Sequence, residues 1–300
     1  MDEIINEIKR MKEERNAVIL SHNYQRPEVQ DVADYVGDSL GLARMGAEST
    51  ADVIVLCGVR FMAETVCIMS PDRTVLMPDP DAGCPMANMI TAQNVLDLRM
   101  KHPDAACVAY VNTSAEVKAV VDVCCTSSNA LEVVDSVETD EVLFIPDKYL
   151  GQYVQSKTEK ELILWNGFCP THVKIQPEDI LREKKAHPGA KTMVHPECTP
   201  QVTALANVVL STGKMLEYAQ KNNAKEFIVG TETGMLYTLQ KQNPCKRFYP
   251  ATSLAVCPNM KKTTLFSVLS ALENMETRIV VPPGIGKKAA SSIERMLQIR

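Results

Sequence analysis

Residues 17–39 read AVILSHNYQRPEVQDVADYVGDS, and the change of period within this stretch decides the fold. Val18-Ile19-Leu20 is a short apolar run that ends at the polar His22, the pattern of a buried strand. Val29, Val32, Ala33 and Val36 then recur at helical spacing, and the segment closes on Ser39. The same grammar returns twice, as ACVAYVNTSAEVKAVVDVCCTSS from Ala106 and as KTMVHPECTPQVTALANVVLSTG from Lys191. His22 to Ser39, Tyr110 to Ser127 and His195 to Thr212 each span 17 residues. Tyr24, Asn112 and Glu197 stand two residues after the first position of each copy.

Each copy runs on to a Cys-Pro pair. Cys84-Pro85 lies 45 residues beyond Ser39, Cys169-Pro170 lies 42 beyond Ser127, and Cys257-Pro258 lies 45 beyond Thr212. A further 26 residues separate Cys84 from Tyr110 and Cys169 from His195. None of the other seven cysteines precedes a proline. Self-similarity at a fixed period marks one structural unit used several times. Apolar runs at Val53–Cys57, Val142–Ile145 and Phe227–Val229, then at Thr74–Met77, Glu161–Trp165 and Arg247–Tyr249, alternate with helical stretches. That alternation predicts parallel sheets. The expected fold class is therefore α/β: three homologous αβα units with parallel four-stranded sheets around a pseudo-threefold axis. The units read as 1–84, 85–169 and 170–269. The remaining 270–300 is expected to pack back on the first unit, because Arg278–Val281 falls where a fourth copy would begin. Ligands of parallel sheets gather at the carboxyl ends of the strands, where every repeated polar position falls.

The 300 residues carry a net charge of −5 and no basic run, which gives no electrostatic reason to bind nucleic acid. MDEIINEIKRMKEER at the N-terminus reads as an amphipathic helix, not a signal peptide. No apolar run approaches a membrane span, so a cytosolic, non-membrane chain is expected. Neither a phosphate-binding G-x-x-x-x-G-K-[ST] loop, nor G-x-G-x-x-G, nor a G-x-S-x-G elbow occurs.

Ten cysteines are unusual in such a chain, since a reducing compartment disfavours disulfides. Cys57, Cys107, Cys124 and Cys125 lie in apolar runs and read as small core residues. Cys84, Cys169 and Cys257 read as one ligand set meeting on the axis. They are otherwise turn residues of homologous loops, or part of a zinc site, although structural zinc normally takes four ligands, often with a C-x-x-C that is lacking here. Three thiolates suit a four-iron cluster with one iron left without a protein ligand. Ser39, Ser127 and Thr212 read both as helix caps and as hydroxyls at helix N-termini suited to carboxylate or phosphate. His22, Tyr110 and His195, with their partners two residues on, form the polar ring of a shared site. His102 and His187, each before a proline, read as turn residues, and Met62 and Met235 as core.

Taken together, SHNYQRPEVQDVADYVGDS, CPMAN, YVNTSAEVKA, DVCCTSSNALEV, CPTH, HPEC, STGKM, GTETGMLY and CPNMK resemble the quinolinate synthase family from about Ala17 to Lys261. The resemblance implies condensation of iminoaspartate (iminosuccinate) with dihydroxyacetone phosphate to quinolinate, releasing phosphate and water, on the route to NAD. It implies three αβα domains about a pseudo-threefold axis and a 4Fe-4S cluster on Cys84, Cys169 and Cys257. It implies substrate contacts from His22, Ser39, Tyr110, Val111, Asn112, Ser127, His172, His195, Pro196, Glu197 and Thr212. Glu197 is expected as general base with Tyr24 and His22 as relays, and an enzyme supplying iminoaspartate is the expected partner. Two other readings stay open: an iron–sulfur hydro-lyase for a small hydroxy acid, and a non-catalytic metal-binding or redox-sensing scaffold.

Overall fold

The computed structural model describes residues 2–299. The charged N-terminal stretch forms α1 (Asp2–Glu14), burying Ile8 and Met11. The first unit follows as β1 (Ala17–His22), α2 (Pro27–Val32), β2 (Tyr35–Gly37), α3 (Ser39–Glu48), β3 (Val53–Cys57), α4 (Arg60–Met69) and β4 (Thr74–Leu76). The second is α5 (Ala92–Lys101), β5 (Ala106–Tyr110), α6 (Ala115–Lys118), β6 (Val123–Cys125), α7 (Ala130–Ser136), β7 (Glu141–Ile145), α8 (Lys148–Gln155) and β8 (Glu161–Leu164). The third is α9 (Pro177–Ala186), β9 (Lys191–Val194), α10 (Pro200–Thr203), β10 (Val208–Val209), α11 (Thr212–Lys221), β11 (Glu226–Gly230), α12 (Met235–Gln242) and β12 (Arg247–Pro250). Two helices close the chain, α13 (Leu265–Asn274) and α14 (Pro283–Gln298).

The three units form three parallel four-stranded sheets with the same order, β2-β1-β3-β4, β6-β5-β7-β8 and β10-β9-β11-β12. Their registers repeat as well. Leu20 pairs with Tyr35, Val108 with Val123 and Met193 with Val208, an offset of 15 residues each time. Ala17 pairs with Val53, Ala106 with Val142 and Lys191 with Phe227, an offset of 36 each time. Because the side-chain period in a strand is two, a shared register brings equivalent side chains to equivalent faces. The expected α/β class with three parallel sheets is therefore what forms.

Local chemistry explains the element starts. α2 and α10 open on Pro27 and Pro200, and α6 opens behind Ser114, whose side chain accepts from the Val117 N–H. All three helices begin five residues after the strand-end position, at 27, 115 and 200. Proline suits the first helical turn because its missing N–H would have no partner there. Strands such as β3, buried at every residue, are apolar on both faces, as a sheet covered by helices on both sides requires. Cys57, Cys107, Cys124 and Cys125 are fully buried in this core, and Met62 and Met235 are buried as expected. His102 and His187 end α5 and α9 with nearly the same backbone angles, and His187 stacks on Tyr249.

The C-terminal stretch divides. α13 lies on α1 and β3 of the first unit, and the backbone of Thr277–Ile279 adds a short antiparallel edge to β4. α14 instead bridges α4 of the first unit with α6 and β6 of the second. No helix among the described residues is long and apolar enough to cross a membrane.

Candidate active site and metal centre

The carboxyl ends of all three sheets open on one cavity of about 190 Å³. His22 and Tyr24, Tyr110 and Asn112, and His195 and Glu197 line it. Strand-end residues two apart share a face, so Val111 and Pro196, which lie between the inward pairs, do not line it. Val111 instead joins the core, its N–H bonded to the Cys125 carbonyl at 2.8 Å, and Pro196 is buried without reaching the cavity.

Ser39, Ser127 and Thr212 all line the cavity, but none of them caps a helix. Ser39 and Thr212 are the first residues of α3 and α11, and the caps are one residue earlier. The Asp38 carboxylate accepts from the Gly41 N–H at 2.8 Å and the Ser211 hydroxyl from the Lys214 N–H at 3.3 Å. Ser127 lies three residues before α7, in a turn closed by the Thr126 N–H on Asn129 Oδ1 at 2.9 Å. The three hydroxyls are thus free of capping. Ser127 Oγ pairs with His195 Nε2 at 3.1 Å, and Thr212 Oγ1 accepts from Asn23 Nδ2 at 3.3 Å.

Two histidines repeat one local geometry. The Tyr24 N–H donates to His22 Nδ1 at 3.1 Å, and the Glu197 N–H donates to His195 Nδ1 at 3.3 Å. A nitrogen that accepts carries no proton, which leaves Nε2–H as the donor of each neutral ring. Burial drives the His22 pKa down to about 4 and the His195 pKa down to about 3, in each case against a neighbouring carboxylate. Both rings are therefore neutral donors at physiological pH.

Glu197 is buried, and burial pushes its carboxyl up. The His172 ring, 2.6 Å from Oε2 through Nδ1, overrides this and holds the carboxyl below its ordinary value, helped by His195 and the Tyr110 hydroxyl. His172 Nε2 reaches Thr231 Oγ1 at 2.8 Å, and the Tyr24 hydroxyl meets the same Oγ1 at 2.6 Å. Burial and then the Glu197 charge keep the Tyr24 phenol protonated. A continuous chain of proton-carrying groups therefore runs from Glu197 through His172 and Thr231 to Tyr24.

Cys84, Cys169 and Cys257 line this cavity and form no disulfide. Burial pushes the Cys84 thiol up to about 12 and the Cys169 thiol well up, the Glu197 charge adding to the latter. Such thiols stay protonated unless a strongly positive centre takes the place of the proton. Three thiols from equivalent loops, with no fourth cysteine on the cavity, fit a cluster held by three thiolates. A mixed donor set is also present: ligand atoms of Cys169, His172 and Glu197 lie within 4.8 Å of one another. Two of them are already committed to each other as an ion pair.

The structure also brings in Thr231, Glu232 and Lys261, which sequence reasoning did not single out. The signal was available in the repeat. Glu232 lies 20 residues after Thr212, as Asp147 lies 20 after Ser127 and Val59 lies 20 after Ser39. All three stand just beyond the third strand of their unit.

A family model described as quinolinate synthetase A protein matches residues 6–298. A quinolinate synthase of Dehalococcoides mccartyi (strain ATCC BAA-2266 / KCTC 15142 / 195) is 55% identical over 296 residues, covering 99% of this chain and 98% of its own. Those of Methanoregula boonei and Thermodesulfovibrio yellowstonii are 53% and 51% identical, each over 98% of this chain and 97% and 98% of their own. A match that runs through all three sheets and all three cysteine loops leaves no unit outside it, and the chain belongs to the quinolinate synthetase A family.

Proposed function

We propose that this chain is a quinolinate synthase of NAD biosynthesis, acting in the cytosol. It joins iminoaspartate to dihydroxyacetone phosphate and releases phosphate and water. The observation that carries this reading is the convergence of three repeat-equivalent cysteines on the cavity that holds the hydroxyls, the neutral imidazoles and Glu197. Cys84, Cys169 and Cys257 hold a 4Fe-4S cluster, each supplied by one of the units 1–84, 85–169 and 170–269. When bound, the cluster supplies a Lewis acid for loss of water, at the iron that no cysteine holds.

The remaining steps belong to the side chains. Ser39, Ser127 and Thr212 donate to the carboxylates and the phosphate, and the N-termini of α3 and α11 reinforce two of them. The Nε2–H groups of His22 and His195 bind substrate oxygen without adding charge. Glu197 takes protons from substrate carbon. A carboxylate held down by an ion pair is a weak base alone, so His172 shares the proton with it, and Thr231 and Tyr24 carry it onward. Tyr110 and Asn112 complete the polar ring. Val111 and Pro196 act through the backbone that sets their neighbours.

The test is turnover. Anaerobically reconstituted protein, given freshly generated iminoaspartate and dihydroxyacetone phosphate, is expected to form quinolinate and inorganic phosphate in equal amounts. Dehydration of a hydroxy acid with no need for the triose phosphate would favour a hydro-lyase instead. The mixed set of Cys169, His172 and Glu197 supports a second reading, a single zinc-like ion, which stoichiometric zinc in native protein would favour.

A further inference from the structure

Glu232 is fully buried, and an ionised carboxylate is kept in such a place only by a counter-charge and full hydrogen bonding. Both are present. Oε1 accepts from the backbone N–H of Cys257 at 3.1 Å, and Oε2 accepts from the Gly234 N–H at 2.7 Å. Lys261 Nζ lies 3.0 Å from Oε1 and 3.2 Å from Oε2, and also donates to the Tyr24 carbonyl. Arg26 Nε adds a bond to the Lys261 carbonyl at 2.8 Å.

Two details mark this junction as built for a purpose beyond capping α12. A Cβ at Gly234 would stand 2.6 Å from Lys261 Nζ, 2.8 Å from Glu232 Oε2 and 2.8 Å from the Tyr24 carbonyl. Only glycine lets the three approach. The repeat supplies the second detail. Asp147, the equivalent of Glu232, is buried and caps α8 through the Leu150 N–H at 2.7 Å, and its Oδ2 has no partner. No lysine accompanies it. The charged bridge is therefore particular to the contact between the third unit and the first.

We propose that Glu232 and Lys261 are a positioning pair that ties the Cys257 loop to the Tyr24 strand end, so that this metal-ligating loop and Tyr24 keep one geometry. The inference rests on the reading of Cys257 as a cluster ligand. Glu232 fixes the loop through the Cys257 amide, not the sulfur, and Lys261 passes that position to Tyr24 through its carbonyl.

The experiment follows iron loss from anaerobically reconstituted protein to an excess of chelator. Lys261 is partly exposed, so Lys261→Met leaves the fold intact even if Glu232→Gln does not. Both variants are expected to lose iron about tenfold faster than wild type, in the range usual for outer partners of metal ligands. The Glu232→Gln/Lys261→Met double variant is expected to be no worse than either single one, because partners of one pair are not additive. Wild-type loss from Lys261→Met, or effects that multiply in the double variant, would overturn the pairing. A full cluster in Cys257→Ser would instead overturn the ligand reading beneath it.

Discussion

Asp38 and Ser211 free the neighbouring hydroxyls for other work. Had Ser39 and Thr212 been the caps, their oxygens would be spent on the backbone, and the cavity would hold fewer donors. Substituting Ser39, Ser127 or Thr212 by Ala removes one hydrogen bond to a charged group, worth about 1.5–3 kcal/mol. A dicarboxylate substrate analogue, measured by calorimetry, is expected to bind at least about tenfold more weakly to each variant, with iron content unchanged. Unchanged affinity in all three would remove them from the site. Glu197→Gln keeps the shape but not the basicity. It is expected to retain iron while quinolinate formation at saturating substrates, followed by rapid quench, falls by about 10²-fold or more. Near-wild-type chemistry with weak binding would make Glu197 a binding residue only. The cysteines, hydroxyls and strand-end ring were legible because each recurs at a fixed interval. Thr231 and Glu232 were not, since the chemistry at their position changes from Val59 to Asp147 to Glu232 and no shared letter betrays it. Lys261 lies on a loop outside the repeated positions, and only the folded contact reveals its partner.

At the scale of elements, the site depends on where strands stop. The shared registers bring 22, 110 and 195 to one level, and the two-residue period then selects 24, 112 and 197 and turns 111 and 196 away. The alternation was present in the sequence, but carrying over whole strand-end segments obscured it. Helix starts were legible to within a residue or three. Ser127 was displaced from α7 because Thr126 and Asn129 close a turn of their own, a local competition that side-chain composition alone does not resolve. The junction after β11 gives the test at this scale. Gly234→Ala is expected to force apart Lys261, Glu232 and the Tyr24 carbonyl, and to lower the thermal midpoint of the metal-free chain by several degrees, read by circular dichroism. An unchanged midpoint would show that the close approach is not needed.

The whole molecule is three sheets whose strand ends face one cavity, an arrangement that the repeat made legible before any contact was known. The path of the last thirty residues was less so, because α14 packs on the second unit through long-range apolar contacts that carry no periodic signature. Burial at the centre also leaves a mark on global stability. Unfolded histidine takes up a proton below pH 6.5, whereas His22 does so only near 4 and His195 near 3. The unfolded chain therefore binds more protons in between, and stability of the metal-free chain is expected to fall as pH drops from 6.5 toward 4. Urea midpoints across that range check the sign, and a flat profile would deny that these rings are buried neutral. The central claim is that one cysteine from each unit holds a shared cluster. Iron and acid-labile sulfide measured on anaerobically reconstituted protein test it most directly. The account predicts about four of each per chain, lost in Cys84→Ser, Cys169→Ser and Cys257→Ser and kept in Cys57→Ser and Cys245→Ser. A full complement of iron and sulfide in any of the first three would contradict it.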